Sequence, residues 1–206
     1  MTLNKTPKHL QPLTAASAAL FLLACLPAAL RAQAPSTPPA QATPAAPAQA
    51  APAPAPNWQS YSYPTEGFSA VFPFAPQIEK RNIPTAAGSF ELRTYLVEVG
   101  SSALFVGVCD YGTAVQGKNP DDVLNGAQSG AISNTKGHII SSTKITLGVY
   151  PGLSFEAEND SMHFSGRIYL VGSTLYQTLV AAPLSQPYPD MQRFLDSFQL
   201  IARTQN

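Results

Sequence analysis

Nineteen of the twenty-five residues from Ala32 to Pro56 are alanine or proline, and the stretch holds no charge, no glycine and no large apolar side chain. Such a segment cannot bury enough surface to offset the conformational entropy lost on ordering. Whatever folds must therefore lie to one side of it. Its proline density favours an extended polyproline conformation with a reach of up to about 75 Å. That length would clear a membrane surface or a peptidoglycan layer; compositional drift in an alanine-rich genome would leave the same tract. The chain divides accordingly into a leader (1–34), an Ala/Pro linker (35–56) that is expected to stay disordered, and one globular block (57–206).

The leader has the form of an export signal. Lys5 and Lys8 precede an apolar run from Leu13 to Leu30, and small residues follow. Two cuts compete. Ala32-Gln33-Ala34 has the small-x-small form, but Pro35 directly after it hinders ordinary cleavage. Leu22-Leu23-Ala24-Cys25 resembles a lipoprotein signal whose cysteine becomes the lipidated first residue, although Leu26–Leu30 stays apolar where such proteins turn polar. An uncleaved anchor is the third option, since about 18 apolar residues can barely span a bilayer. In each case the folded block works outside the cytoplasm, periplasmic or secreted, and meets a membrane only through this N-terminal anchor.

Setting the leader apart changes the charge balance. Lys5, Lys8 and Arg31 belong to it, which leaves nine basic and twelve acidic side chains in the block, a net charge of −3. No run of Lys or Arg is present to track phosphates, so nucleic acid is not an expected partner. The block's 150 residues suffice for one hydrophobic core. Its single cysteine, Cys109, cannot form an internal bridge and lies in the apolar run Leu104–Cys109, where a small core residue is expected rather than a nucleophile.

Strand signals open the block. Trp58–Tyr63 alternates and runs into the turn Pro64-Thr65-Glu66-Gly67, after which Phe68–Phe74 reads as a strand limited by Pro73 and Pro76. Gln77–Ile83 is expected to pair with Phe90–Val99 across residues 84–88, and the continuously apolar Ala103–Tyr111 suits a central strand. Asn119 and Pro120 predict a helix start, with Asp121 and Asp122 favourable against its dipole. Val123, Leu124, Ala127, Ala131 and Ile132 form its apolar face, and Asn134 or Gly137 ends it.

Four further strands follow at 138–147, 152–158, 162–171 and 174–181. Their short links demand antiparallel neighbours, because parallel strands need long crossovers. A last helix is expected from Pro187 or Pro189, with Met191, Phe194, Leu195 and Phe198 on one face. The expected fold class is α+β: a single antiparallel β-sheet flanked by helices.

Several segments resemble the PsbP/Mog1-like family of small exported α/β/α sandwiches. They are Gly67-Phe68-Ser69 with Phe72-Pro73, Tyr150–Glu156, Arg167–Gly172, Leu175-Tyr176-Gln177 and Arg193–Phe198. The resemblance implies a non-enzymatic scaffold or binding domain and carries no catalytic residue across. On the residues themselves, Arg167 is expected to pair with Glu156 or Glu158 on the neighbouring strand.

The chemistry-bearing residues are sparse. No nucleophile elbow, phosphate loop, dinucleotide fingerprint or His-x-x-x-His spacing occurs, so no catalytic residue and no cofactor are expected. The densest polar group is Glu156, Glu158, Asp160 and His163 around one turn. Glu156, Glu158 and His163 are the only candidate ligands for a cation, and no metal is assigned to them. Eight aromatic residues, among them Tyr150, Tyr169, Tyr176 and Tyr188, exceed what an apolar core needs, and several are expected at an edge or in a groove. The sequence thus reads as an exported, tethered, non-catalytic binding or scaffold module of the cell envelope. Its partner would be an envelope protein or a small ligand. The alternatives are a small-molecule or lipid carrier with an internal pocket, and a hydrolase built on Glu156, Glu158 and His163.

Overall fold

The computed structural model describes residues 55–85, 88–133 and 135–204. The leader with Cys25, the linker up to residue 54 and Asn134 lie outside the described residues. Strands β1 (Gln59–Tyr63) and β2 (Phe68–Phe72) form a hairpin with Tyr63 opposite Phe68. In its turn, the N–H groups of Glu66 and Gly67 both donate to the Tyr63 carbonyl, and Gly67 has φ +79°, a conformation that glycine enters without steric cost.

Two antiparallel meanders follow. The first comprises β3 (Gln77–Thr85), β4 (Gly88–Val99) and β5 (Ser102–Asp110). The second comprises β6 (His138–Leu147), β7 (Tyr150–Glu158), β8 (Met162–Val171) and β9 (Thr174–Pro183). Antiparallel pairing of β5 with β9 joins them into one seven-stranded sheet of order β3-β4-β5-β9-β8-β7-β6. The short connections force the local hairpins, and the α+β antiparallel architecture is the one expected.

Each face of this sheet is covered. On one side helix α1 (Pro120–Ser133) packs Leu124, Ala127, Ala131 and Ile132 against Leu153, Phe155, Phe164, Ile168, Leu175 and Leu179. Its start is as the sequence indicates: the Asn119 side-chain oxygen accepts from the Asp121 N–H at 3.0 Å. The sheet also makes room beneath the helix. A Cβ at Gly166 would lie 2.5 Å from the Phe155 ring.

On the other side lie helix α2 (Met191–Asp196) and a small sheet of order β1-β2-β10, completed by β10 (Gln199–Leu200). This second sheet is an addition to the single one expected. Pro73 and Pro76 interrupt the chain between β2 and β3, and β2 pairs instead with the C-terminal Gln199-Leu200. Phe68, Phe72, Phe194 and Phe198 from this layer meet Tyr95, Leu104, Val106, Tyr169, Tyr176 and Val180 of the main sheet.

Two local expectations are corrected. Helix α2 starts at Met191, just past Pro189 as expected, but it ends at Asp196, so Phe198 falls beyond the helix yet remains buried. Arg167 does not pair with Glu156 or Glu158. Its Nη1 donates to the Leu195 carbonyl at 3.1 Å and its Nη2 to Asp196 Oδ1 at 2.5 Å, at the C-terminal end of α2. The register puts Ser154 opposite Arg167, while Glu156 stands opposite Ser165 and accepts from its hydroxyl.

Gln177 lies between Leu175 and Leu179 on the helix side of β9, 1% exposed, and neither end of its amide has a hydrogen-bond partner. A buried amide without partners costs about 1–3 kcal/mol. Gln177→Leu, close in volume, should therefore raise unfolding free energy by about 1–2 kcal/mol in urea titrations. An unchanged or lowered midpoint would show that the amide is satisfied by internal water.

Candidate functional site

The predicted polar group does assemble. Residues Glu156, Glu158 and His163 occupy one face of the β7–β8 hairpin, on alternate positions of the pleat, with Glu158 opposite His163. His163 Nε2 lies 2.7 Å from Glu156 Oε2, and its Nδ1 lies 3.0 Å from Glu158 Oε1. Ser165 Oγ donates to the other Glu156 oxygen at 2.7 Å. Asp160 sits exposed in the adjoining turn.

This arrangement consumes its own chemistry. Both imidazole nitrogens face carboxylate oxygens, so the three side chains bond one another. Among the described residues no three or more His, Cys, Asp or Glu converge as a metal-ligand set. The nearby hydroxyl, Ser165, is buried and bonds Glu156 rather than the ring, so the nucleophile–base contact of a Ser–His pair is not made.

A second polar group ties the N-terminal turn to the C-terminal tail. Glu66 is buried and ion-paired with Arg93, whose guanidinium also donates to Glu91 at 2.6 Å. The hydrogen bonds that Arg93 donates to Glu66 and Glu91 outweigh desolvation and push its pKa up. On the same turn, Tyr176 OH donates to the Glu66 carbonyl at 2.6 Å, and Arg203 Nη2 donates to Thr174 Oγ1 and to Tyr176 OH, each at 3.0 Å. Every member bonds another member, and the group serves the fold. Glu66 is the buried member of its pair, and Arg93 keeps Glu91 when Glu66 is removed, so Glu66→Ala should lower stability by about 1.5–3 kcal/mol in a chemical melt; a loss under about 0.5 kcal/mol would contradict that role.

The aromatic residues divide. Tyr95, Tyr169 and Tyr176 are buried in the slab between the two sheets, where Tyr169 stacks on Phe198 at 5.9 Å. Tyr63 lies against Tyr95 at 4.3 Å, and burial followed by the nearby Tyr61 pushes its hydroxyl up to about 12. Trp58, Tyr61, Tyr63 and Tyr188 are half-buried at the border of this slab, and Tyr150 is exposed.

Tyr188 lies in a cleft that the sequence did not single out. The cleft, about 340 Å³, is lined by the β4–β5 turn (Val99–Ser102), the loop Gln186–Asp190 and Pro56. Pro187 and Pro189 fix the loop's backbone and hold Tyr188 between them. Burial, and then the Asp190 charge, hold the Tyr188 hydroxyl above the ordinary tyrosine value, so it stays a neutral donor. The wall opposite is of small residues, with Gly100 at φ +60° in the turn. The lining thus combines apolar rings, small residues, hydroxyls and the Asp190 carboxylate. The sequence held the signal, a tyrosine flanked by prolines, but its position opposite residues 99–102 depends on the fold.

Cys109 is where the apolar run placed it, 1% exposed in the helix-side core. Burial pushes its thiol up to about 11, with the Asp110 charge adding and a hydrogen bond with Tyr111 opposing. The raised value contributes stability below the unfolded thiol pKa, and this is lost as pH rises through about 11. At pH 8 its alkylation should follow global unfolding, at least about 100-fold slower than that of a free thiol; labelling at a free-thiol rate would place Cys109 at the surface.

No protein-family model matches this chain, and no curated protein matches it in sequence. Among solved structures it is similar to cyanobacterial PsbP (CyanoP) from Synechocystis sp. PCC 6803, with TM-score 0.50 and 11% identity over 74% of this chain and 97% of that one. A protein of unknown function from Pseudomonas aeruginosa, PA94, matches with TM-score 0.34 and 5% identity over 62% of this chain and 84% of that one. What the chain shares with CyanoP is its fold: the described residues adopt a PsbP-like α+β architecture.

Proposed function

We propose that this protein is an exported, tethered, non-catalytic binding module of the cell envelope, which holds an extended segment of an envelope protein in the Tyr188 cleft. The observation that carries this reading is the position of that cleft. Pro56, the last residue of the Ala/Pro tract, is part of its lining, so the end of the tether lies at the binding surface. The leader supports export, and the net charge of −3 argues against nucleic acid. The cleft's volume also falls at the lower end of small-ligand sites, about 300–1,000 Å³, which favours a small-molecule or lipid carrier as the second reading.

A photo-crosslinking residue at Tyr188, in the native host, tests both. The expected product is a protein adduct of defined mass that is absent when the crosslinker replaces Glu79, on strand β3 outside the cleft lining. A small-molecule adduct at Tyr188 would support the carrier instead. No adduct above the Glu79 background would remove the cleft as the binding surface.

A further inference from the structure

The two edges of the main sheet are built differently. Strand β3 carries Glu79, Lys80 and Arg81 in succession and Pro84, the devices by which edge strands avoid pairing with other chains. Strand β6, at the other edge, spans ten residues and is exposed along nearly its whole length. It contains no acid in an acidic domain. Its lysine, Lys144, is turned aside onto α1, with Nζ 2.6 Å from Asp121 Oδ2. Among the described residues nothing pairs with the outer side of β6.

We infer that β6 pairs antiparallel with β6 of a second copy of this chain, about a two-fold axis at Thr143, making one continuous sheet across both copies. The register follows from the pleat. A bulge between Ile139 and Ser141 interrupts the strand, leaving Ser141–Leu147 regular. Side chains opposite one another must share a face, so the axis passes through a residue rather than between two. An axis at Lys144 would set two ammonium groups against each other, and one at Ser142 runs into the bulge. An axis at Ile145 shortens the overlap and uses a side chain already packed against its own core. With the axis at Thr143, Thr143 meets Thr143, Ser142 meets Lys144 and Ser141 meets Ile145. No like charges face each other, and the central threonine pair is one that sheets favour.

Closure selects the same partner. Pairing β6 of one copy with β3 of another would propagate into an open filament, and the charges and proline of β3 oppose it. Self-pairing of β6 closes. A contact limited to one strand falls below the roughly 1,200 Å² of stable interfaces, so the dimer is weak in solution and strengthened where tethering concentrates the chain.

Sedimentation equilibrium of the protein purified from its host should show a reversible monomer–dimer equilibrium, and Thr143→Lys should weaken it about tenfold or more. In a second variant, Thr143→Cys, opposite Cα atoms about 4.5–5.5 Å apart are within disulfide reach. Mild oxidation should then give a covalent dimer, while Lys80→Cys on the other edge stays monomeric and buried Cys109 takes no part. A Thr143→Cys protein that remains monomeric would overturn the inference. So would equal crosslinking of Lys80→Cys, or capture of a different protein by the introduced thiol of the Thr143→Cys variant, which would assign the edge to a partner's strand.

Discussion

The fold rests on the pairing of β5 with β9. Each meander forms from local hairpins, but neither has two covered faces until these strands meet, Ala103 with Ala181 through to Asp110 with Thr174. Both strands are then buried on both sides. Phe105, Cys109, Leu175 and Leu179 face the helix, while Leu104, Val106, Tyr176 and Val180 face the small sheet. Main-chain hydrogen bonds in this interior have no water to compete with them, and apolar burial on two faces accompanies each one. The contact joins residues about seventy positions apart in the chain, so its closure entropy must be met by burial on both faces at once.

The small sheet depends on that seam in turn. Phe68 packs edge-on against Tyr95 at 5.0 Å and stacks on Phe198 at 5.6 Å, so one ring bridges β2, β4 and the segment after α2. Polar contacts lock the same junction. Ile201 N–H donates to the Gly67 carbonyl at 2.9 Å, and Thr204 N–H to the Pro64 carbonyl at 3.1 Å. The tail and the first turn therefore hold each other. Asp110 anchors the neighbouring end of the seam: burial alone would raise its pKa, but hydrogen bonds from Ser173 and the Gly112 N–H more than offset this and hold it below the usual carboxylate value.

Much of the secondary structure was legible because its causes are local. Asn119-Pro120-Asp121-Asp122 marks a helix start by capping geometry and dipole, and the structure begins α1 at Pro120. The strands from His138 onward were separable because Gly148, Asn159 and Gly172 punctuate them; Asn159 Oδ1 accepts from the N–H groups of Ser161 and Met162 to form that turn. The polar group at Glu156, Glu158 and His163 was legible for the same reason, since alternate residues across a short hairpin must share a face. What it does there was not legible. Whether an imidazole turns outward or bonds its neighbours depends on side-chain positions that spacing does not specify.

The sequence by itself determined the Ala/Pro composition of residues 32–56, the order of the main strands and helices after it, and their charge, because composition, periodicity and turn chemistry act within a few residues. Only the tertiary structure decided that β5 joins β9, that β2 leaves the main sheet for Gln199-Leu200, and that Arg167 turns to the end of α2. The same is true of the Tyr188 cleft and the open edge at β6. Each of these depends on surfaces brought together from distant parts of the chain, and what selects among such pairings is the shape and burial of the whole assembly.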